Sequence, residues 1–265
     1  MNPLPDPDVT RGRYEGVANV VRFNWPLYTA GGSAVAIGLA LLLWPGLPRW
    51  AWVIVLAGTC GAAYLLEASL LVSHWVYDRS GILRFDWVRR YVDGSVAYVV
   101  NLHSGFDESS ERLKDQFCHA RFEIYDFYDP TTMTEPSIKR ARKYQARQAS
   151  AWLKSATRAI SADALPMTEK SVDAAFLLFA AHEIRDPAGR QRLFDGLYRS
   201  LKPGGRLIVV EHLRDVANFC VFGPQFVHFH SRKTWLDHAS KAGYGVVDEF
   251  RVTPFVRGFV FERRA

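Results

Sequence analysis

Two stretches without a single charged residue, Pro26 to Trp44 and Trp50 to Leu66, constrain this chain more than any other feature. A helix rises ~1.5 Å per residue, so about nineteen residues cover the ~30 Å thickness of bilayer hydrocarbon. The first run has that length, and the second reaches it by taking in Glu67. The break PGLPR between them reads as a turn, and residues 26–74 therefore read as two transmembrane helices. A buried helical hairpin of a soluble domain would carry the same pattern. A cleaved signal peptide would not, because the first run is long, starts late and is followed at once by another.

The flanking cations orient the hairpin. Its turn holds only Arg49, whereas Arg11, Arg13 and Arg22 precede it and Arg79, Arg84, Arg89 and Arg90 follow it. By the positive-inside rule, a cytoplasmic tail (1–25) and a juxtamembrane linker (75–94) lie on the same side, with the remaining domain cytoplasmic and the chain a multi-pass membrane protein. Cys60, Cys118 and Cys220 have no metal-type spacing and no pairing logic, which suits a reducing compartment. The net charge of +6 is concentrated beside the spans and in IKRARKYQARQ, residues 138–148, a pattern of contact with anionic lipid or of a solvated basic helix face. No nucleic-acid motif accompanies it, and no nucleic-acid partner is expected. Glu67 and His74 read as interfacial, and Trp75, Tyr77, Phe85 and Trp87 as an aromatic belt that could also border an entrance for a lipid-like molecule.

Beyond Val88 short apolar runs alternate with amphipathic stretches, the mark of an α/β domain with a mainly parallel sheet over residues 95–265. SVAYVVNL, ARFEIYDF, TRAISADAL, SVDAAFLLFAAH and GGRLIVVEH read as five strands, ESSERLKDQF and GRQRLFDGLYRSL as helices. YGVVDEFRV and PFVRGFVFERR complete a seven-stranded sheet as a closing hairpin. In the KPGG turn, Pro203 is expected to stop the preceding helix, and Gly204 and Gly205 to take positive φ on entry to the strand. The segment 129–155 reads either as a lid or as a membrane-facing helix.

The block LPMTEKSVDAAFLLFAAHEI followed by YRSLKPGGRLIVVEH resembles the carboxy-terminal half of class I S-adenosylmethionine-dependent methyltransferases, and the resemblance covers about residues 95–265. It implies a Rossmann-like methyltransferase fold, with a C-terminal antiparallel hairpin and S-adenosylmethionine as cofactor. VVNLHSGFD stands where that family has V-V-D-L-G-C-G-T-G. On that pattern Asn101 replaces the acid near the methionine moiety, His103 and Asp107 replace glycines, and Gly105 is kept. The resemblance further implies that Asp126 accepts hydrogen bonds from the ribose hydroxyls and that Asp163 contacts the adenine amino group. The rewritten loop leaves open the same cofactor in an altered pose, or another ligand.

Ligands of open α/β sheets bind beyond the carboxyl ends of the strands. Asn101 and His103 end the first strand, His182 and Glu183 the fourth, Glu211 and His212 the fifth, so these six should gather at one edge. His182 or His212 would act as general base, with Glu183 or Glu211 orienting the ring. His182, Glu211, His212 and His228 would alternatively suit a divalent metal, although no H-E-x-x-H spacing is present and no metal is assigned. Simple structural hydrogen bonding is the third reading. For the whole chain these residues imply a membrane-anchored methyltransferase acting on a hydrophobic or membrane-resident small molecule such as a lipid, quinone, polyene or aromatic natural product. The alternatives are a non-methylating or metal-dependent enzyme on the same fold, or a catalytically silent scaffold.

Overall fold

A computed structural model describes residues 12–264. Expectations for residues 1–11, Arg11 among them, lie outside the described residues. Helix α1 (Glu15–Leu42) and helix α2 (Arg49–His74) lie side by side in antiparallel register. Tyr28 bonds Ser69 across the pair (2.8 Å), Gly31 lies against Leu66, and Gly38 lies against Thr59. Both helices are long and apolar enough to cross a membrane, and only 6% of the apolar window of either is buried. A core helix of a soluble protein would be mostly covered, so exposure of Ile37, Val53 and Ile54 sets this pair apart from one.

The segment expected to be a tail is helical from Glu15 onward. The backbone leaves helical geometry at Asn24, two residues before Pro26, whose ring crowds the preceding turn and which lacks an N–H. Below this kink α1 docks on the domain. The backbone N–H groups of Gly16 and Val17, unpaired at a helix start, donate to the Asp78 carboxylate at 2.6 and 3.1 Å.

The expected linker 75–94 is core. After α2 a wide turn at Trp75–Arg79 and short tight helical turns at Ile82–Arg84 and Asp86–Arg90 bury Val76, Ile82, Leu83, Phe85, Val88, Tyr91 and Val92. They cover the sheet face formed by Val99, Ala174, Phe176, Ile208 and Val210. A mainly parallel sheet must be covered on both faces, and the short helix after the first strand cannot cover this one alone. Phe85 is thus a buried side chain rather than part of an interfacial belt, while Trp75 stays exposed.

The domain continues with β1 (Tyr98–His103), α3 (Ser110–Gln116), β2 (Arg121–Asp126), α4 (Pro136–Gln148), α5 (Ala151–Ala156), β3 (Thr157–Ala159) and β4 (Val172–Leu178). Then follow α6 (Pro187–Ser200), β5 (Leu201–His212), α7 (Val216–Phe222), α8 (Arg232–Ala242), β6 (Tyr244–Thr253) and β7 (Val256–Arg263). The strand order is β3-β2-β1-β4-β5-β7-β6. The first five strands run parallel and β7 inserts antiparallel between β5 and β6, so the closing hairpin is as expected. Leu193, Phe194, Leu197 and Trp235 of α6 and α8 pack on the second face against Leu102, Leu177, Val209 and Phe261.

The KPGG turn differs in detail from its expectation. The helix already ends at Ser200, and only Gly204 takes a positive φ, of 77°. Gly205 is needed for closeness instead, since a Cβ there would lie 2.9 Å from the Lys202 carbonyl oxygen.

Candidate active site

The strand order places β1, β4 and β5 side by side, and their carboxyl ends carry the polar residues the sequence singles out. Side chains alternate between faces along a strand. Glu211 and His212, adjacent in sequence, therefore serve different surroundings.

On the face of α6, Glu211 is fully buried and accepts hydrogen bonds from His182: Nδ1 donates at 2.7 Å and the backbone N–H at 3.3 Å. The His182 Nε2 lies 3.4 Å from Glu183 Oε1. Burial disfavours a charged imidazole, yet the two carboxylates outweigh it and lift His182 to about 10. The two carboxylates thus favour the protonated ring, which donates rather than accepts in this arrangement.

On the opposite face, His212 is buried and neutral. Burial lowers its pKa to about 4, against a weaker upward effect of its bond to Phe255. Nδ1–H donates to the Phe255 carbonyl (2.9 Å), which fixes Nε2 as acceptor for the Tyr77 hydroxyl at 2.7 Å. Phe179, held at φ 52° just beyond β4, packs on both rings. That left-handed backbone costs a phenylalanine on the order of 1–3 kcal/mol and is commonly retained at functional sites.

Tyr77, Phe179, His182 and Glu183 share a cavity of about 230 Å³ with Phe23 of α1 and Ile138 of α4. Asn19 of α1 donates to Glu108 of the loop after β1 (2.9 Å), and Phe23 packs edge-on against Phe106 of the same loop. The lower turns of α1 thus close the cavity just below the point where the apolar hairpin leaves the domain.

The loop after β1 is itself a dense polar network. Asn101 donates to Ser109 and Ser110 (2.8 and 2.7 Å), and Asp107 Oδ1 accepts from both backbone N–H groups. Gly105 N–H donates to His103 Nδ1 (3.0 Å). Three buried atoms here, Asn101 Oδ1, His103 Nε2 and Asp107 Oδ2, have no hydrogen-bond partner among the described residues, although His103 Nε2 and Asp107 Oδ2 lie 3.9 Å apart as a long ion pair. A buried polar atom left without a partner costs ~1–3 kcal/mol.

Asp126 ends β2 beside this loop, as expected, but its carboxylate is engaged. Arg142 of α4 pairs with Oδ2 at 2.6 Å, lays its guanidinium over Tyr128 and runs its stem across Gly105. Gly105 sits at φ 102°, and a Cβ there would come within 2.6 Å of Arg142 Cγ. Asp163 does not join the group: it is half exposed and pairs with Arg192 of α6 at 2.8 Å. Its turn after β3 points it along the surface.

Sequence reasoning missed Tyr77, assigned to a belt, and Glu135 and Arg142, which lie in the segment 129–155. A basic helix carrying one arginine toward an acid at a strand end leaves no trace in spacing. Only the docking of α4 on α1, through Arg140 on the Phe23 carbonyl (2.5 Å) and Arg22 over Tyr144, gives that helix its position.

A family model described as a methyltransferase domain matches residues 125–209, from the end of β2 into β5. No curated protein matches the chain in sequence. Among solved structures, a SAM-dependent methyltransferase from Aquifex aeolicus is similar at 16% identity and TM-score 0.50, over 70% of this chain and 94% of its own. The mitomycin 7-O-methyltransferase MmcR is similar at 16% identity and TM-score 0.52, over 96% of this chain and 74% of its own, a span that reaches into α1 and α2. The cyclase SpnF is similar at 14% identity and TM-score 0.51, over 72% of this chain and 84% of its own. The fold is that of S-adenosylmethionine-dependent methyltransferases, and the match of residues 125–209 to a methyltransferase domain supports methyltransferase chemistry with S-adenosylmethionine as cofactor. The residues fit this cofactor: a carboxylate at the end of β2, a glycine in the loop after β1, and the buried Asn101 Oδ1 without a hydrogen-bond partner among the described residues. Arg142 lies on that carboxylate and must move to expose it.

Proposed function

We infer that this chain is a membrane-anchored methyltransferase for a hydrophobic small molecule that bears a hydroxyl or amine acceptor. The carrying observation is the cavity beyond β1 and β4, closed by the lower turns of an apolar hairpin and faced by Tyr77, His182 and Glu183. The exposed Val216, Phe219 and Val227 around α7, which packs on α2, extend the apolar surface at that end. A hairpin in the bilayer places the cavity where membrane-resident molecules are concentrated, raising their effective concentration.

S-adenosylmethionine supplies an activated methyl group, so the protein has chiefly to align the acceptor and receive its proton. Asp126, with Arg142 swung away, would hold the vicinal hydroxyls of the ribose, and Asn101, His103 and Gly105 would border the cofactor. Tyr77 and His212 receive the acceptor's proton: it passes to the Tyr77 oxygen as Tyr77 hands its own to His212 Nε2. The Phe255 carbonyl holds the ring in the required tautomer. Because burial disfavours a charged His212, the proton is stored briefly and must leave again. Phe23, Phe106 and Phe179 give the acceptor an apolar seat.

One observation favours a second reading, a silent scaffold: Arg142 neutralises the carboxylate at the end of β2. Transfer of labelled methyl from S-adenosylmethionine to lipophilic phenols, quinols and amines in liposomes tests both. Turnover that Tyr77→Phe and Asp126→Ala each depress supports the enzyme. Absence of cofactor binding in wild type and in Arg142→Ala alike would refute it.

A further inference from the structure

We propose that His182, Glu183 and His228 form a binding site for one divalent transition-metal ion at the edge of the cavity. One ligand atom from each of the three residues lies within 4.8 Å of the others. Glu183 Oε1 is 3.4 Å from His182 Nε2 and 3.8 Å from His228 Nε2. Ligands bound at ~2.0–2.2 Å in tetrahedral or octahedral geometry stand about 3.0–3.5 Å apart, so small rotations complete the triad.

His182 is oriented as a metal-binding histidine is, and His228 shares that orientation once Arg185, which contacts both of its ring nitrogens, moves aside. His182 Nδ1 is held by Glu211 at 2.7 Å, and His228 Nδ1 by Glu135 at 2.9 Å. A carboxylate on one ring nitrogen fixes the ring and leaves the other nitrogen as ligand. Both Nε2 atoms face Glu183.

The charge also asks for a cation. Glu135, Glu183 and Glu211 converge here, and the guanidinium that answers them is Arg185, bound to Glu135 (2.5 Å) and the His228 carbonyl (2.5 Å), with one nitrogen 3.2 Å from His228 Nε2. A metal ion on His182 Nε2 displaces the proton that ring otherwise carries, and three carboxylates against one guanidinium then leave two formal negative charges, the complement of a divalent ion. Two imidazoles and a carboxylate suit zinc, iron or manganese, and His182 and Glu183 face the cavity, so open coordination positions would point at an oxygen-bearing ligand there.

This set differs from the one the sequence offered. Glu211 becomes the residue that positions His182, His212 lies on the other face of the sheet, and Glu183 takes the central place. His230, two residues beyond His228, points away to Arg190 (3.0 Å).

The site does not rest on the methyl-transfer reading, because its test needs neither cofactor nor acceptor. Full-length, detergent-solubilised protein stripped with chelator would be titrated with Co(II) alone, followed by visible d–d absorption and calorimetry. One equivalent should bind with new d–d bands. Glu183→Gln and His228→Ala should abolish the bands, and the positioning variant Glu211→Gln should weaken binding ~10–100-fold with the bands retained. Arg185→Ala, by removing the competing cation, should tighten binding, a gain that misfolding cannot mimic. Absence of d–d bands in wild type, or equal Co(II) affinity in wild type and Glu183→Gln, would overturn the proposal.

Discussion

Removal of the Arg142 guanidinium should tighten cofactor binding. Arg142 and Asp126 meet at 2.6 Å, with the carboxylate side chain 13% exposed and the arginine 35%. A hydrogen bond between charged groups contributes ~1.5–3 kcal/mol, and exposure of the arginine lowers this toward ~1–2. The guanidinium over the Tyr128 ring at 4.0 Å adds about 0.5 kcal/mol. A closed state favoured by roughly 2 kcal/mol leaves about one molecule in thirty with a free Asp126, and the apparent affinity falls by the same fraction. Arg142→Ala should therefore bind S-adenosylmethionine ~10–30-fold more tightly than wild type in calorimetric titration, and Asp126→Ala should abolish binding in either background. Equal or weaker binding by Arg142→Ala would refute the idea that arginine and cofactor compete for one carboxylate.

Tyr77→Phe and His212→Asn should each lower the rate of methyl transfer ~10²–10⁴-fold while leaving cofactor affinity within twofold, measured by single-turnover transfer beside calorimetry. His238 is buried near Arg190 and Lys241; burial first, then those cations, lowers its pKa to about 4, while Asp237 and Asp195 act in the opposite sense. The unfolded chain holds that proton up to about pH 6.5, so the His238 contribution, roughly 3 kcal/mol, is complete above pH 6.5 and is lost as pH falls toward 4. Denaturant melts at stepped pH should show this slope, flattened in His238→Gln. Ile37→Asp combined with Ile54→Asp places two acids on exposed apolar faces of the hairpin and should cost about 5–7 kcal/mol of membrane insertion without unfolding the domain. Unchanged flotation of the variant with liposomes would count against a membrane hairpin.

What the sequence determines is whatever is carried by local pattern. Uncharged runs of sufficient length make α1 and α2, alternation makes the strands, and the acids and histidines after apolar runs must fall at strand ends. Hence β1, β4 and β5, and the positions of Asn101, His103, His182, Glu183, Glu211 and His212 at or just beyond their carboxyl ends, are legible in the order of residues alone. Which partner each residue faces is decided only by tertiary contacts between distant segments. Glu211 and His212 part company because they point to opposite faces; Tyr77 reaches His212 only because the segment after α2 folds onto the sheet. Arg142 reaches Asp126 only because α4 is wedged against α1, and His228 meets Glu183 only because the chain beyond α7 returns to the end of β4. These are contacts between segments brought together by burial of the two sheet faces, a demand that no stretch of sequence expresses by itself.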